Sequence, residues 1–125
     1  MKTLTIKKCF KCGAIVKIVE DCHCDDCGIT CCGEPMKEVR VNSTDGAIEK
    51  HKPNYIKEND KITITVNHVM DENHYIEWLC LVSDNSEKYV YLNPKDEPKV
   101  IFDNVKTGKI YSYCNKHGLW VTDIE

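Results

Sequence analysis

Seven of the nine cysteines in this 125-residue chain crowd into one short N-terminal stretch, which limits what that stretch can fold into. These seven are Cys9, Cys12, Cys22, Cys24, Cys27, Cys31 and Cys32. The stretch has few large apolar residues, so a hydrophobic core cannot hold it together, whereas a bound metal ion can. An odd total of cysteines also leaves one unpaired in any scheme of disulfides alone. The sequence therefore predicts a metal-binding module over residues 1–37.

Charge and hydropathy exclude several classes of protein. The 17 basic and 20 acidic residues give a net charge of −3, which argues against nucleic acid as a partner. No apolar run approaches the roughly 18 residues of a membrane-spanning helix, and the start MKTLTIKKCF lacks the apolar centre of a signal peptide. We therefore expect a cytoplasmic protein with neither nucleic acid nor membrane as a partner. In that reducing compartment, cysteines are metal ligands more often than disulfides.

Residues 38–125 alternate apolar and polar side chains in short runs, as β-strands do. In HYIEWLCLV, strict alternation places Ile76, Trp78 and Cys80 on one face and Leu79 on the other. No segment has a convincing helical period. The pattern predicts six or seven strands in an antiparallel, immunoglobulin-like β-sandwich, with the tryptophans and Cys80 in its packed interior.

The histidines of the β-region stand in distinctive local strings. GAIEKHKP contains His51, NHVMDENHYIEW contains His68 and His74, and in YCNKHGLW Cys114 precedes His117 by three residues. With CFKCG and CCGEPM nearer the N-terminus, these motifs resemble those of the desulfoferrodoxin and neelaredoxin family, the superoxide reductases, over essentially the full chain.

The sequence departs from the family pattern at one position. Val69 stands where a proline commonly follows the histidine in relatives. This difference changes the stiffness of the loop and not the chemistry of the ligands.

The resemblance implies a catalytic non-haem iron. Its ligands would be four equatorial imidazoles and one axial thiolate, from His51, His68, His74, His117 and Cys114. Five ligands exceed the closed tetrahedron of structural zinc and leave one position of a six-coordinate iron open. A thiolate opposite that position pushes electron density toward it, which favours the one-electron reduction of superoxide to hydrogen peroxide.

The resemblance also gives roles to two neighbours of His51. Lys50 directly precedes this ligand, and its ammonium group would attract the superoxide anion and organise the water that delivers protons. Glu49 would bind the ferric iron as a sixth ligand once the product has left. Without the family, the same Glu-Lys pair would be interpreted as a solvated surface pair.

The N-terminal module admits several metal centres. By resemblance, a distorted rubredoxin-like iron would be held by four thiolates, those of Cys9, Cys12, Cys31 and Cys32. The string DCHCDDCG adds three competing ligands, Cys22, Cys24 and Cys27. Seven thiols could also hold a [4Fe–4S] cluster, as in methanoferrodoxin-type relatives. A third possibility is a zinc ribbon, because two C-x2-C pairs are typical of that module.

The resemblance further implies an electron donor such as rubredoxin, a homodimer or alternatively a tetramer, and a role in protecting an anaerobic cell from oxidative stress. Two other functions stay open from the residues: an electron-transfer iron protein, and a zinc-ribbon interaction module. The second of these would leave the four histidines and Cys114 of the β-region without a role.

Overall fold

The computed structural model describes residues 3–24, 28–43 and 46–125, so Cys27 lies outside the described part of the chain. The protein divides into two compact units, Thr3–Val39 and Arg40–Glu125. Strands make up all but one of the described secondary-structure elements, which confirms the predicted mainly-β fold. In the described ranges no helix is long and apolar enough to cross a membrane.

The first unit consists of very short strands. They are β1 (Ile6–Lys8), β2 (Ile15–Lys17), β3 (Thr30–Cys31), β4 (Glu34–Pro35) and β5 (Lys37–Glu38). β1 lies between β2 and β5 in an antiparallel sheet, and β3 pairs with β4 in a separate two-stranded ribbon. Its buried apolar side chains include Leu4, Ile6 and Met36, a small set for a folded unit.

The described part of the second unit contains seven strands and one helical turn. They are α1 (Ile48–His51), β6 (Asn54–Glu58), β7 (Lys61–Thr65), β8 (Ile76–Ser83), β9 (Ser86–Tyr91), β10 (Lys99–Asp103), β11 (Gly108–Cys114) and β12 (Gly118–Ile124). One antiparallel sheet has the order β10-β7-β6, and the other has the order β12-β11-β8-β9. Both sheets contribute to one apolar core, which is the predicted sandwich.

The core of the sandwich is built from β-branched and aliphatic side chains on facing strands. Ile62 and Ile64 of β7 pack in one cluster with Leu79, Leu81 and Ile110 of the opposite sheet. All five side chains are at most 1% exposed. The predicted interior residues Trp78, Cys80 and Trp120 are buried as well.

One prediction about β8 is wrong, because the strand contains a β-bulge. Trp78 pairs with Tyr113 and Ile76 pairs with Cys114, so Glu77 is an extra residue without its own partner. An extra residue reverses the alternation of faces on one side of the bulge. Ile76 therefore joins Leu79 in the core and does not share the face of Trp78.

The helical turn α1 is also absent from the sequence prediction. It is only four residues long, and a segment of that length cannot display a helical period. It nevertheless matters, because it contains Glu49, Lys50 and His51.

Candidate metal centres

One helical turn, one loop, one strand end and the turn that follows it bring five potential ligands together in the second unit. His51 ends α1, His68 and His74 lie between β7 and β8, and Cys114 ends β11 just before the turn with His117. One ligand atom from each residue lies within 4.8 Å of all the others. His51 and Cys114 are buried, and the other three side chains are half-buried.

The atoms that face one another are defined by short distances. His51 Nε2 lies 3.0 Å from His117 Nδ1, and Cys114 Sγ lies 3.4 Å from His68 Nε2 and 3.8 Å from His117 Nδ1. These separations are what several donors directed at one point produce. The donor atoms of the five residues are thus as close to one another as the ligands of one metal ion.

Hydrogen bonds on the far side of two rings fix their tautomers. His51 Nδ1 lies 2.8 Å from the carbonyl oxygen of Ala47, and His68 Nδ1 contacts the carbonyl oxygen of Val69. A carbonyl only accepts, so each Nδ1 must donate its hydrogen. The lone pair of each ring then stays on Nε2, the atom that faces the other donors.

One buried atom shows that the group fits a metal ion. His74 Nε2 is buried and has no hydrogen-bond partner in the structure. Buried polar atoms are nearly always paired, so an orphaned ring nitrogen among four other donors indicates a missing ligand. A cation that accepts the lone pair of His74 Nε2 removes the free-energy cost of burying this atom without a partner.

Burial shifts the protonation of two histidines toward what a metal requires and that of Cys114 away from it. It lowers the pKa of His68 and of His74, so both rings remain neutral and able to coordinate. Burial raises the pKa of the Cys114 thiol, although backbone N–H groups of Lys116 and His117 donate to its sulfur. A coordinated cation would reverse that rise and hold the thiolate.

Two further residues shape the surroundings of His51. The Trp120 ring stacks on the imidazole at 4.9 Å, and its Nε1 donates to the carbonyl of His117. Gly46 lies so close that an added Cβ would be 2.7 Å from His51 Cε1. Sequence reasoning assigned no role to Gly46, although it begins the GAIEKHKP string.

Glu49 and Lys50 are both exposed on α1. Glu49 is not among the five residues whose ligand atoms meet. Their assignment as sixth ligand and anion-attracting cation therefore stays a prediction.

A second group of donors lies in the first unit. Cys9 and Cys12 follow β1, and Cys31 and Cys32 lie at the β3–β4 turn, with all four sulfur atoms within 4.8 Å of one another. Cys12 Sγ is 3.6 Å from Cys31 Sγ, which is 3.9 Å from Cys32 Sγ.

These spacings match a single ion. Four thiolates at about 2.3 Å from one ion have sulfur atoms about 3.8 Å apart, the edge of that tetrahedron. In a [4Fe–4S] cluster each thiolate binds a different iron, which places the sulfur atoms farther apart. The grouping therefore favours a mononuclear centre and gives no support to the cluster alternative.

Hydrogen bonds within this group shift the pKa values of Cys9 and Cys31 in opposite directions. Backbone donation from Cys12 and then Lys11 lowers the pKa of Cys9 to about 7. Hydrogen bonding with Cys12 and then Cys9 raises the pKa of Cys31 to about 12. Ionisation of Cys9 is thus favoured, whereas ionisation of Cys31 is disfavoured. A bound cation would stabilise all four thiolates.

Two of the three competing cysteines are described, and neither joins this group. Cys22 and Cys24 are both exposed, and neither is among the four residues whose sulfur atoms meet. Cys27 lies outside the described residues. The zinc-ribbon pairing of two C-x2-C strings is therefore not the arrangement that the described thiols adopt.

Comparisons with known proteins identify the family of this chain. A family model described as desulfoferrodoxin matches residues 43–123. A desulfoferrodoxin homolog of Archaeoglobus fulgidus is 39% identical, covering 95% of this chain and 96% of its own length. A superoxide reductase of Thermococcus kodakarensis is 31% identical, covering 71% of this chain and 97% of its own length.

A solved structure shares the fold. The crystal structure of the superoxide reductase from Treponema pallidum matches with a TM-score of 0.72, covering 97% of this chain and 99% of that chain. Its sequence is 24% identical to this one, so the likeness concerns the fold alone.

Proposed function

Because this chain belongs to the desulfoferrodoxin family, we propose that it is a superoxide reductase that acts at the five-donor site of its second unit. The observation that supports this most directly is the meeting of four imidazoles and one thiolate within 4.8 Å, with one ring nitrogen buried and unpaired. Such a set exceeds what a closed structural zinc site uses.

The proposed reaction joins superoxide, one electron and two protons to give hydrogen peroxide, without release of oxygen. When bound, iron supplies the redox chemistry by alternating between its ferrous and ferric states. His51, His68, His74, His117 and Cys114 would hold it. Imidazole nitrogens suit this metal, and five donors leave a six-coordinate ion one position for substrate.

The residues around the ion have distinct tasks. The Cys114 sulfur, buried and supported by two backbone N–H donors, supplies a strongly donating thiolate. Ala47 and Val69 carbonyls keep Nε2 of His51 and His68 turned inward. The Trp120 ring covers one side of His51 and excludes water there.

Charge around the site would guide the substrate. Lys50 is exposed on the same helical turn as the His51 ligand. Its ammonium group attracts the superoxide anion and orients the water that donates protons. Glu49, one residue earlier, would offer its carboxylate as a further ligand to the iron.

The four-cysteine site of the first unit would hold a second iron that relays electrons. A donor such as rubredoxin supplies them, and the protein works as a homodimer in the cytoplasm of a cell that meets oxygen only occasionally. Four thiolates around one ion suit that electron-transfer task, and the sulfur spacings support one ion.

The test is a stoichiometric assay of the iron-loaded protein. Superoxide is added as potassium superoxide in an aprotic solvent to protein that was reduced beforehand under anaerobic conditions. We expect one hydrogen peroxide formed per superoxide consumed and per iron oxidised, and no oxygen. Oxygen produced at half the superoxide consumed would identify a dismutase instead. A protein purified from iron-rich medium with zinc alone in both sites would contradict the proposal outright.

A further inference from the structure

The imidazoles of the five-donor site are not held in the same way. His51 and His68 each donate a ring hydrogen to a backbone carbonyl, which fixes the plane of the ring. The His74 ring makes no such hydrogen bond to any residue in the described ranges, and its Nε2 is unpaired. The direction of this ring therefore depends on the backbone that bears it.

That backbone is held by a bridge to Asp71, in which the N–H of Asp71 donates to the carbonyl of His74 at 3.0 Å and the N–H of His74 donates to the carbonyl of Asp71 at 3.3 Å. The one side chain that holds it in the described ranges is the amide of Asn115. Asn115 Nδ2 donates to the carbonyl of Asn73 at 3.0 Å, and Asn115 Oδ1 accepts from the N–H of Tyr75 at 3.0 Å. These two groups flank His74 on either side. The backbone N–H of Asn115 adds a third hydrogen bond, to the carbonyl of Tyr75 at 3.3 Å.

These three hydrogen bonds of Asn115 form a clamp on the backbone at Asn73 and Tyr75. Its location follows from the β-bulge. The β8–β11 ladder ends at the pairing of Ile76 with Cys114, immediately after the irregularity at Glu77. Beyond it the loop no longer has a regular strand partner. An amide offers one donor and one acceptor, so it can replace a missing backbone neighbour, which neither a carboxylate nor an apolar side chain can do.

The same residue joins the clamp to the other ligands. Asn115 directly follows Cys114 and precedes His117 by two positions, so its own placement is tied to the turn that supplies them. We propose that Asn115 is a positioning residue that sets the direction of His74 relative to Cys114 and His117. This inference rests on the proposed metal site and adds to it a residue that does not touch the ion.

The hydrogen bonds of the clamp predict that Asn115→Asp weakens metal binding, against the sign expected from its added charge. Asn115→Asp adds a negative charge near a cation site, which by electrostatics alone would tighten metal binding. It also replaces the donor toward Asn73 with an acceptor, so the two oxygens repel. If the clamp matters more than the charge, Asn115→Asp weakens binding by about 10- to 100-fold, the range for loss of a residue that orients a ligand.

The experiment uses Co²⁺ as a probe in place of iron, so that the readout is independent of activity. Paramagnetically shifted ring resonances count the coordinated imidazoles, and titration gives the affinity. We expect four shifted imidazoles in the parent protein and a lost or strongly moved His74 signal in Asn115→Asp. Asn104→Asp, an exposed substitution at the end of β10, is the matched control and should change neither measurement.

A double-mutant cycle separates positioning from general destabilisation. Asn115→Ala and His74→Ala are compared singly and together for Co²⁺ affinity. If Asn115 acts through His74, its substitution costs almost nothing further once the ring is absent. Additive losses, or four unmoved imidazole signals in Asn115→Asp, overturn the inference. Fewer than four coordinated imidazoles in the parent protein would instead contradict the proposed site.

Discussion

Close packing around His51 leaves Gly46 little freedom to change. A Cβ at this position would lie 2.7 Å from Cε1 and 2.9 Å from Nδ1 of the ring, and 3.1 Å from Cζ2 of Trp120. The ring is already fixed by Ala47 and by the indole stack, so it has little room to move away. The glycine thus lets the backbone approach a ligand that is held from both sides.

We expect Gly46→Ala to displace the His51 ring and to lower the affinity for the metal by about tenfold or more. The strain of forcing a methyl group into this contact is about 1–3 kcal/mol. Gly28→Ala is the control, because no atom of the described residues lies within 4 Å of a Cβ built there. Equal Co²⁺ affinities for the two variants would show that the loop absorbs the methyl group without moving the ring.

Cys114→Ser should abolish reduction of superoxide while the sandwich stays folded. The core is formed by the strands, but the sulfur is the donor that raises electron density on the ion. Loss of the thiolate-to-iron absorption band should accompany loss of activity. Pulse-radiolysis rates decide the matter, since turnover near the parental rate would remove the thiolate from the mechanism.

Lys50→Ala should slow the bimolecular reaction with superoxide by about tenfold and flatten its dependence on salt. One ammonium about 4 Å from an anion is worth about 1 kcal/mol in water and about 4 kcal/mol at an effective dielectric of 20. An exposed lysine should lie toward the lower value. Iron content should be unchanged.

Lys52→Ala is the matched control, because Lys52 lies just beyond α1 and follows the ligand. Both second-order rate constants are measured across a range of ionic strength. Small and equal effects from the two lysines would mean that only diffuse positive charge matters.

Short sequence motifs explain which residues of the five-donor site could be recognised from the sequence. Each of the five donors lies in a short motif, and the structure brings those five together. Gly46 and Asn115 lie within the same motifs, but their tasks depend on contacts that no spacing displays. Asn115, for example, bonds to Asn73, 42 positions earlier. A metal ligand can be recognised from its residue type and local motif. A hydrogen-bonded contact between two loops that are distant in the sequence cannot.

Among the secondary-structure elements, the long regular strands were the most predictable. Alternation identified β7, one face of which is buried in the sandwich, and most of β8, in which both faces are buried from Trp78 to Val82. It failed at Ile76 because a bulge depends on the register between two strands and not on either strand alone. Bulges often adjoin functional sites, and this one lies directly beside Cys114.

The segment between β2 and β3 allows a test of which cysteines bind the first metal. Replacing Cys22, Cys24 and Cys27 together by serine should leave the visible spectrum of the four-thiolate iron nearly intact. The reason is that the four sulfur atoms that meet come from Cys9, Cys12, Cys31 and Cys32. Cys9→Ser is the contrasting variant and should bleach the spectrum. Loss of the centre in the triple variant, or acid-labile sulfide near four per module, would favour a different ligand set.

In the molecule as a whole, the two units differ in what stabilises them. The sandwich encloses a continuous cluster that includes Ile62, Ile64 and Leu79, all without exposed surface. The unit Thr3–Val39 has few buried apolar side chains and strands of two or three residues. Units below about 40 residues generally need a metal, disulfides or assembly to fold. Metal binding should therefore be a condition of folding for the first unit and only of activity for the second.

Removal of metal with a strong chelator under reducing conditions should accordingly unfold one unit and spare the other. Amide resonances of Thr3–Val39 should collapse into the unfolded region, while those of β8 and β11 stay dispersed and protected from hydrogen exchange. Zn²⁺ added afterwards should restore the first set, because four thiolates satisfy its tetrahedral preference. Cys114→Ser, treated in the same way, separates the two sites, since its first unit should still respond to Zn²⁺. Loss of both sets of resonances in one transition would show instead that the sandwich, too, depends on its metal for folding.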